Sequence, residues 1–120
     1  MIADSDSNVR ALVGRFLTES GYAVTFATNG YEALDAARKS RPLAIFADIL
    51  LPRLDGLALC RLLKSDPATA QVVTVIVLSV LAAEEKVKRA GADAYIQKPL
   101  ERSRILATLE EAFTRSNTDG

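Results

Sequence analysis

Apolar positions along this chain follow two rhythms that alternate. Val9, Leu12, Val13, Phe16 and Leu17 recur at helix spacing, so that segment has one apolar face. Asp6 or Ser7 can cap this helix and Gly21 can end it. Tyr22, Val24 and Phe26 then alternate, which predicts a short strand. Asn29-Gly30 reads as a turn, followed by a helix with Leu34 and Ala37 on its inner side and a stop at Arg41-Pro42. Leu43 to Phe46 is apolar and runs into Asp48. Leu57, Cys60 and Leu63 mark another helix, closed before Pro67. Val72 to Leu78 is a continuous run rich in β-branched residues, the pattern of a strand buried on both faces. Glu84 to Ala90 predicts a short helix ended by Gly91. Ala94 to Ile96 predicts a strand, and Ile105, Leu106, Leu109 and Phe113 a last helix.

Strands that alternate with helices imply a parallel sheet covered on both faces, an α/β fold of the doubly wound kind. The first strand has little chain before Asp4, so it is expected to span about four residues. The 120 residues suit one domain. Residues 1–115 are expected to form it, with Ser116 to Gly120 as a polar tail or the start of a linker. An apolar share of 49% with 25% charged residues is globular, not disordered. Fifteen basic residues balance fifteen acidic ones, so the composition offers no electrostatic reason for nucleic-acid or membrane binding. The single Cys60 cannot form an internal disulfide, which suits a reducing cytoplasm. With no histidine, the chain has no Ser-His-Asp triad, no imidazole metal site and no histidine phosphodonor of its own.

The polar residues that matter stand where apolar strands stop. Asp4 ends the first strand, Asp48 the third, Ser79 the fourth and Lys98 the fifth. In a parallel α/β sheet the carboxyl ends of strands share one edge, and ligands bind there. Each residue alone has a plainer reading: Asp4 as a helix cap, Ser79 as a loop hydroxyl, Lys98 as a surface charge, Tyr95 as core. The ordered set says more. Two carboxylates within about 4–5 Å repel by roughly 1–4 kcal/mol, and a divalent cation relieves that repulsion. Oxygen ligands without His or Cys favour Mg²⁺ or Mn²⁺. Asp48 is the expected nucleophile for a phosphoryl group, Lys98 its counter-charge and the Ser79 hydroxyl a donor to another phosphoryl oxygen.

The segment Asp48-Ile49-Leu50-Leu51-Pro52-Arg53-Leu54-Asp55-Gly56 resembles the phosphoacceptor loop of response-regulator receiver domains from bacterial two-component systems. Gly91-Ala92-Asp93-Ala94-Tyr95-Ile96-Gln97-Lys98-Pro99 is similar to that family's final strand and Lys-Pro turn. The resemblance covers residues 1–115. It implies a flavodoxin-like fold, a parallel sheet in the order 2-1-3-4-5. It implies a phosphorelay switch that takes a phosphoryl group from a phosphohistidine of a partner kinase or phosphotransfer protein, without turnover of a separate substrate. Asp48 would be the acceptor. Asp4, Asp48 and the Leu50 backbone carbonyl would hold the metal, Ser79 and Lys98 would sense phosphate, Tyr95 would be the switch aromatic, and Lys98-Pro99 would be cis.

Two departures temper the match. Ser5 occupies the second acidic position that family members use for metal, so weak Mg²⁺ binding is expected, with Asp6 as a substitute ligand. From Ser79 to Lys98 the chain runs about three residues shorter than is usual, nearly one turn at roughly 3.6 residues per turn. The fourth helix and its output face should therefore be altered. A degenerate receiver that acts by binding alone is the alternative. A more remote one is a haloacid-dehalogenase-like phosphatase, with Asp4 as nucleophile and Asp6 as acid and base.

Overall fold

The computed structural model describes the backbone of residues 1–119 and the side chains of residues 1–114. Its strands are β1 (Ile2–Ala3), β2 (Phe26–Ala27), β3 (Ala44–Asp48), β4 (Thr74–Ser79) and β5 (Ala94–Gln97). The helices between and after them are α1 (Ser7–Glu19), α2 (Gly30–Ser40), α3 (Gly56–Ser65), α4 (Glu84–Arg89) and α5 (Arg102–Asp119). The strands form one parallel sheet in the order β2-β1-β3-β4-β5, as the sequence pattern and the resemblance imply. The segment read as a polar tail continues as helix to Asp119, and Gly120 lies outside the described residues.

Both faces of the sheet are covered, because alternate residues of its central strands point to opposite sides. Ile45, Ala47, Val75 and Val77 pack under α2, α3 and α4, together with Leu34, Leu59, Leu63 and Val87. Phe46, Ile76 and Leu78 pack under α1 and α5, with Val13, Leu17, Ile105 and Leu109. All six residues of β4 are buried, the signature of a strand with helices on both sides.

Caps fix where the helices begin. Asp6 accepts from the Asn8 N–H and opens α1, so Asp6 rather than Ser7 is the cap. Asn29, read from sequence as half of a turn, is the N-cap of α2, its side chain accepting from the Glu32 N–H at 2.9 Å. The turn-favouring chemistry of asparagine serves a helix start equally well, so the dipeptide alone does not tell the two apart. Arg41 ends α2 in a left-handed conformation just before Pro42.

The second strand is shorter than its alternation suggests. Tyr22, Val24 and Phe26 predict a strand, yet only Phe26 and Ala27 pair, opposite Ile2 and Ala3. Strand β1 has two residues to offer, which limits its neighbour. The chain before Phe26 instead closes α1, the Ser20 and Tyr22 N–H groups both donating to the Leu17 carbonyl.

Candidate functional site

Three of the side chains singled out from sequence meet at the carboxyl edge of the sheet. β1 delivers Asp4, β3 ends on Asp48, and β5 leads into Lys98. The Lys98 ammonium lies 3.0 Å from Asp4 Oδ2 and 3.5 Å from Asp48 Oδ2. Asp4 is almost wholly enclosed, at 1% exposure, and Asp48 is buried. Asp4 Oδ1 also accepts from the Asp6 N–H at 2.9 Å, and Asp48 Oδ1 from the Leu50 N–H at 3.2 Å. The Lys98 N–H donates to the Ser79 carbonyl at 2.7 Å, which ties the end of β5 to the end of β4, and the Lys98–Pro99 peptide bond is cis, as the resemblance implies.

Ser79 sits beside this group at the end of β4, fully buried. Its hydroxyl oxygen accepts from the Leu81 N–H at 2.9 Å. Tyr95 is bonded to the loop before α4. Its hydroxyl donates to the Leu81 carbonyl and accepts from the Ala83 N–H at 3.2 Å, so it ties β5 to the loop before α4. That helix has six residues and no side-chain cap of its own at Ala83, consistent with the shortened stretch seen in the sequence. Ser5 and Asp6 are exposed, and Asp6 spends an oxygen on the start of α1. In this structure the Asp6 carboxylate is therefore engaged at the start of α1 rather than in the acidic pair.

One ammonium faces two carboxylates on this buried rim, and the next cation, the Arg10 guanidinium, lies on the Asp4 carbonyl. Among the described residues no three His, Cys, Asp or Glu side chains are gathered as a metal cage. The donors at hand, Asp4, Asp48 and the backbone at Leu50, fit a hard cation that keeps much of its water, as Mg²⁺ does. Cys60 offers no alternative chemistry. Burial pushes its thiol up to about 11, and the thiol packs against the Ala90 carbonyl.

Sequence reasoning missed several residues that shape the site. The Arg10 guanidinium donates to the Asp4 carbonyl at 2.8 Å. Gly56 packs directly on the Asp48 carbonyl, where a Cβ would collide, and its N–H donates to the Ile49 carbonyl at 3.0 Å. Gly30 does the same at the other end of the loop, against Leu54. The positions of the glycines were visible in the sequence; that two distant backbones converge on them was not.

Comparison with known proteins agrees with this architecture. Residues 1–110 match the family model described as the response regulator receiver domain. The response regulator MprA of Mycobacterium sp. strain KMS is 37% identical over 99% of this chain, and that of Mycobacterium leprae is 36% identical. The chain spans about half the length of these curated relatives, 52% in each case. A CheY-like receiver domain protein from Methanospirillum hungatei superposes with a TM-score of 0.89 at 25% identity, covering 99% of this chain and 95% of its own. The receiver domain of a signal transduction histidine kinase from Syntrophus aciditrophicus gives 0.84 at 31% identity, covering 94% and 87%. Matched along nearly its whole length in both sequence and fold, the chain belongs to the response regulator receiver domains of two-component systems.

Proposed function

We propose that this domain is a phosphoacceptor switch and that Asp48 carries the phosphoryl group. The observation that carries the reading is the Lys98 ammonium within reach of both Asp4 and Asp48 on one buried rim. The donor would be a phosphohistidine on a partner kinase or phosphotransfer protein. An Asp48 carboxylate oxygen attacks phosphorus, the P–N bond breaks, and its electron pair returns to the imidazole, which takes a proton from solvent. The new O–P bond is an acyl phosphate. Asp4, Asp48 and the Leu50 carbonyl would hold Mg²⁺ or Mn²⁺, which when bound offsets the charge on the phosphoryl oxygens. Lys98 is placed to follow that charge, moving from the Asp48 carboxylate to a phosphoryl oxygen.

The switch would run through Ser79 and Tyr95. Turning the Ser79 hydroxyl towards phosphate takes the acceptor from the Leu81 N–H, and turning Tyr95 inward gives up Leu81 and Ala83. Those are neutral hydrogen bonds worth roughly 0.5–1.5 kcal/mol each, whereas each charge-assisted bond to phosphate contributes roughly 1.5–3 kcal/mol. Three neutral bonds given up against one charge-assisted bond gained leave the two arrangements close in energy, so the charge of the phosphoryl group can tip the balance. The output would be read from the reshaped surface around α4 and β5 by a protein or domain not identified by its chemistry here, in the cytoplasm and without direct nucleic-acid or membrane contact by this domain.

Labelling by acetyl phosphate in the presence of Mg²⁺ tests the assignment. The native chain should take one phosphoryl group, and Asp48→Ala should take none. Undiminished labelling of Asp48→Ala overturns it. A second reading, a receiver that signals by binding alone, is favoured by one observation: neutral Ser5 replaces a carboxylate while Asp6 is engaged at the helix cap. A Mg²⁺ titration that shows no saturation in the millimolar range would select that reading.

A further inference from the structure

The loop after Asp48 contains a turn that its own residues do not favour. Arg53 has a φ of 71°, a region uncommon for residues with a side chain. Across it the Leu54 N–H donates to the Pro52 carbonyl at 2.8 Å, the bonding pattern of a γ-turn. Backbone of this kind persists where the surroundings hold it. The first residues of α2 do the holding. The Gly30 N–H donates to the same Pro52 carbonyl at 3.2 Å. A Cβ on Gly30 would fall within the Leu54 carbonyl group, so only glycine lets α2 approach this closely. The next residue, Tyr31, lies under the Arg53 guanidinium, 5.7 Å from ring centroid to Arg53 Cζ.

We propose that Gly30 is a positioning residue for phosphotransfer. By holding the turn from Pro52 to Leu54, it sets where the other half of the same loop places the Leu50 carbonyl and the Asp48 carboxylate. The loop has little slack to absorb a shift. Its two ends are fastened together where Gly56 meets Asp48 and donates to Ile49, and Leu50 is bonded back to Asp48 Oδ1. An outward push at Leu54 is therefore passed to Leu50. The inference rests on the phosphoacceptor reading above and extends the site to a helix that contributes none of its acids.

The test compares Gly30→Ala with Asn29→Ala in the full chain. Asn29→Ala weakens the same helix end by removing its cap, without adding bulk beneath the loop. Three properties are read: the rate of labelling by acetyl phosphate with Mg²⁺, amide hydrogen exchange at Leu50, Leu54 and Gly56, and the thermal midpoint. Gly30→Ala should slow labelling roughly tenfold, the scale of a lost supporting contact around a metal site, and speed exchange at those amides. Asn29→Ala should lower the midpoint and label at the native rate. Native labelling and exchange in Gly30→Ala overturn the proposal, as does an equal loss of labelling in Asn29→Ala, which would make general softening of α2 the cause. If Gly30→Ala does not fold, Arg53→Ala relaxes the same turn by removing the contact with Tyr31. A loss of labelling of about threefold then supports the proposal, and no change overturns it. A native chain that takes no label, while folded and with saturating Mg²⁺, sinks the phosphoacceptor reading itself, and this inference falls with it.

Discussion

The two ends of the sheet each enclose a lysine against aspartate, with different results. At the amino end Lys64 contacts Asp93 at 2.6 Å and donates to the Ala70 and Val73 carbonyls at 3.2 and 2.9 Å. That uses all three ammonium donors. Asp93 in turn accepts from the Val75 N–H at 2.7 Å, so α3 and the starts of β4 and β5 are drawn into one knot. At the carboxyl end Lys98 faces two carboxylates rather than one. Lys64 is matched to one carboxylate and saturated, whereas Lys98 is shared between two carboxylates. The same pair of residue types thus makes a fastener where lysine meets one carboxylate and a site where it meets two.

Breaking the balanced end should cost most. Lys64→Met keeps the stem but takes the ammonium away from Asp93 and from the Ala70 and Val73 carbonyls. Removing one partner of a buried pair costs about 3–5 kcal/mol. Because the Asp93 side chain is 32% exposed, a loss nearer 2–3 kcal/mol is expected, read by urea unfolding at neutral pH. A loss below about 0.5 kcal/mol would mean that the amino-end pair does not fasten the strands at all.

This comparison also shows which features a sequence can disclose. The carboxyl-end residues were legible because each apolar strand stops on one of them: Asp4, Asp48, Ser79 and Lys98 break the hydrophobic pattern at successive strand ends. The knot of Lys64 and Asp93 left no such trace. Lys64 sits near the end of an amphipathic helix, where a solvated charge is the ordinary reading, and its partners come from elsewhere in the chain. Periodicity assigned Tyr22 and Val24 to a strand because it records which side chains are buried, and both do pack against the core. It does not record whether a neighbouring backbone is present to pair. Asn29-Gly30 does mark the bend before α2, but the close approach of Gly30 to Leu54 is a long-range fact that the dipeptide does not record.

The amino end carries a second cation that burial disfavours. The Met1 ammonium donates to the Ala44 carbonyl at 2.8 Å, and desolvation lowers its pKa from 8.0 to about 6. Between those values the unfolded chain binds the proton that the folded chain has released. Stability therefore rises as pH increases from 6 to 8, and below about pH 6 the dependence flattens. A two-unit shift corresponds to an upper bound of about 2.7 kcal/mol, and a gain of about 1–2 kcal/mol is expected after local relaxation. The chain has no histidine, and burial pushes Cys60 up to about 11, above this window. Unfolding free energies at pH 6 and pH 8 check this for the chain with a free Met1 amine. A flat profile, or the same slope after acetylation of that amine, would remove Met1 from the account.

The sharpest contrast comes from neutralising one aspartate at each end. Asp48→Asn keeps the shape and can still accept from the Leu50 N–H, while removing the second carboxylate charge and leaving Lys98 to Asp4. Without metal it should be more stable than the native chain by about 1 kcal/mol, the low end of the repulsion between close carboxylates. Asp93→Asn, its counterpart in the balanced knot, should lose stability instead. Mg²⁺ should then close the gap from one side only. It stabilises the native chain by about 1.4 kcal/mol at ten times its dissociation constant and does little for Asp48→Asn, which lacks the second carboxylate. The two unfolding curves should therefore meet and then cross as Mg²⁺ is raised towards ten times its dissociation constant. If Asp48→Asn is instead less stable than the native chain in the absence of metal, Lys98 already balances both acids. The rim would then be a second fastener, and the attraction for a cation would have lost its electrostatic cause.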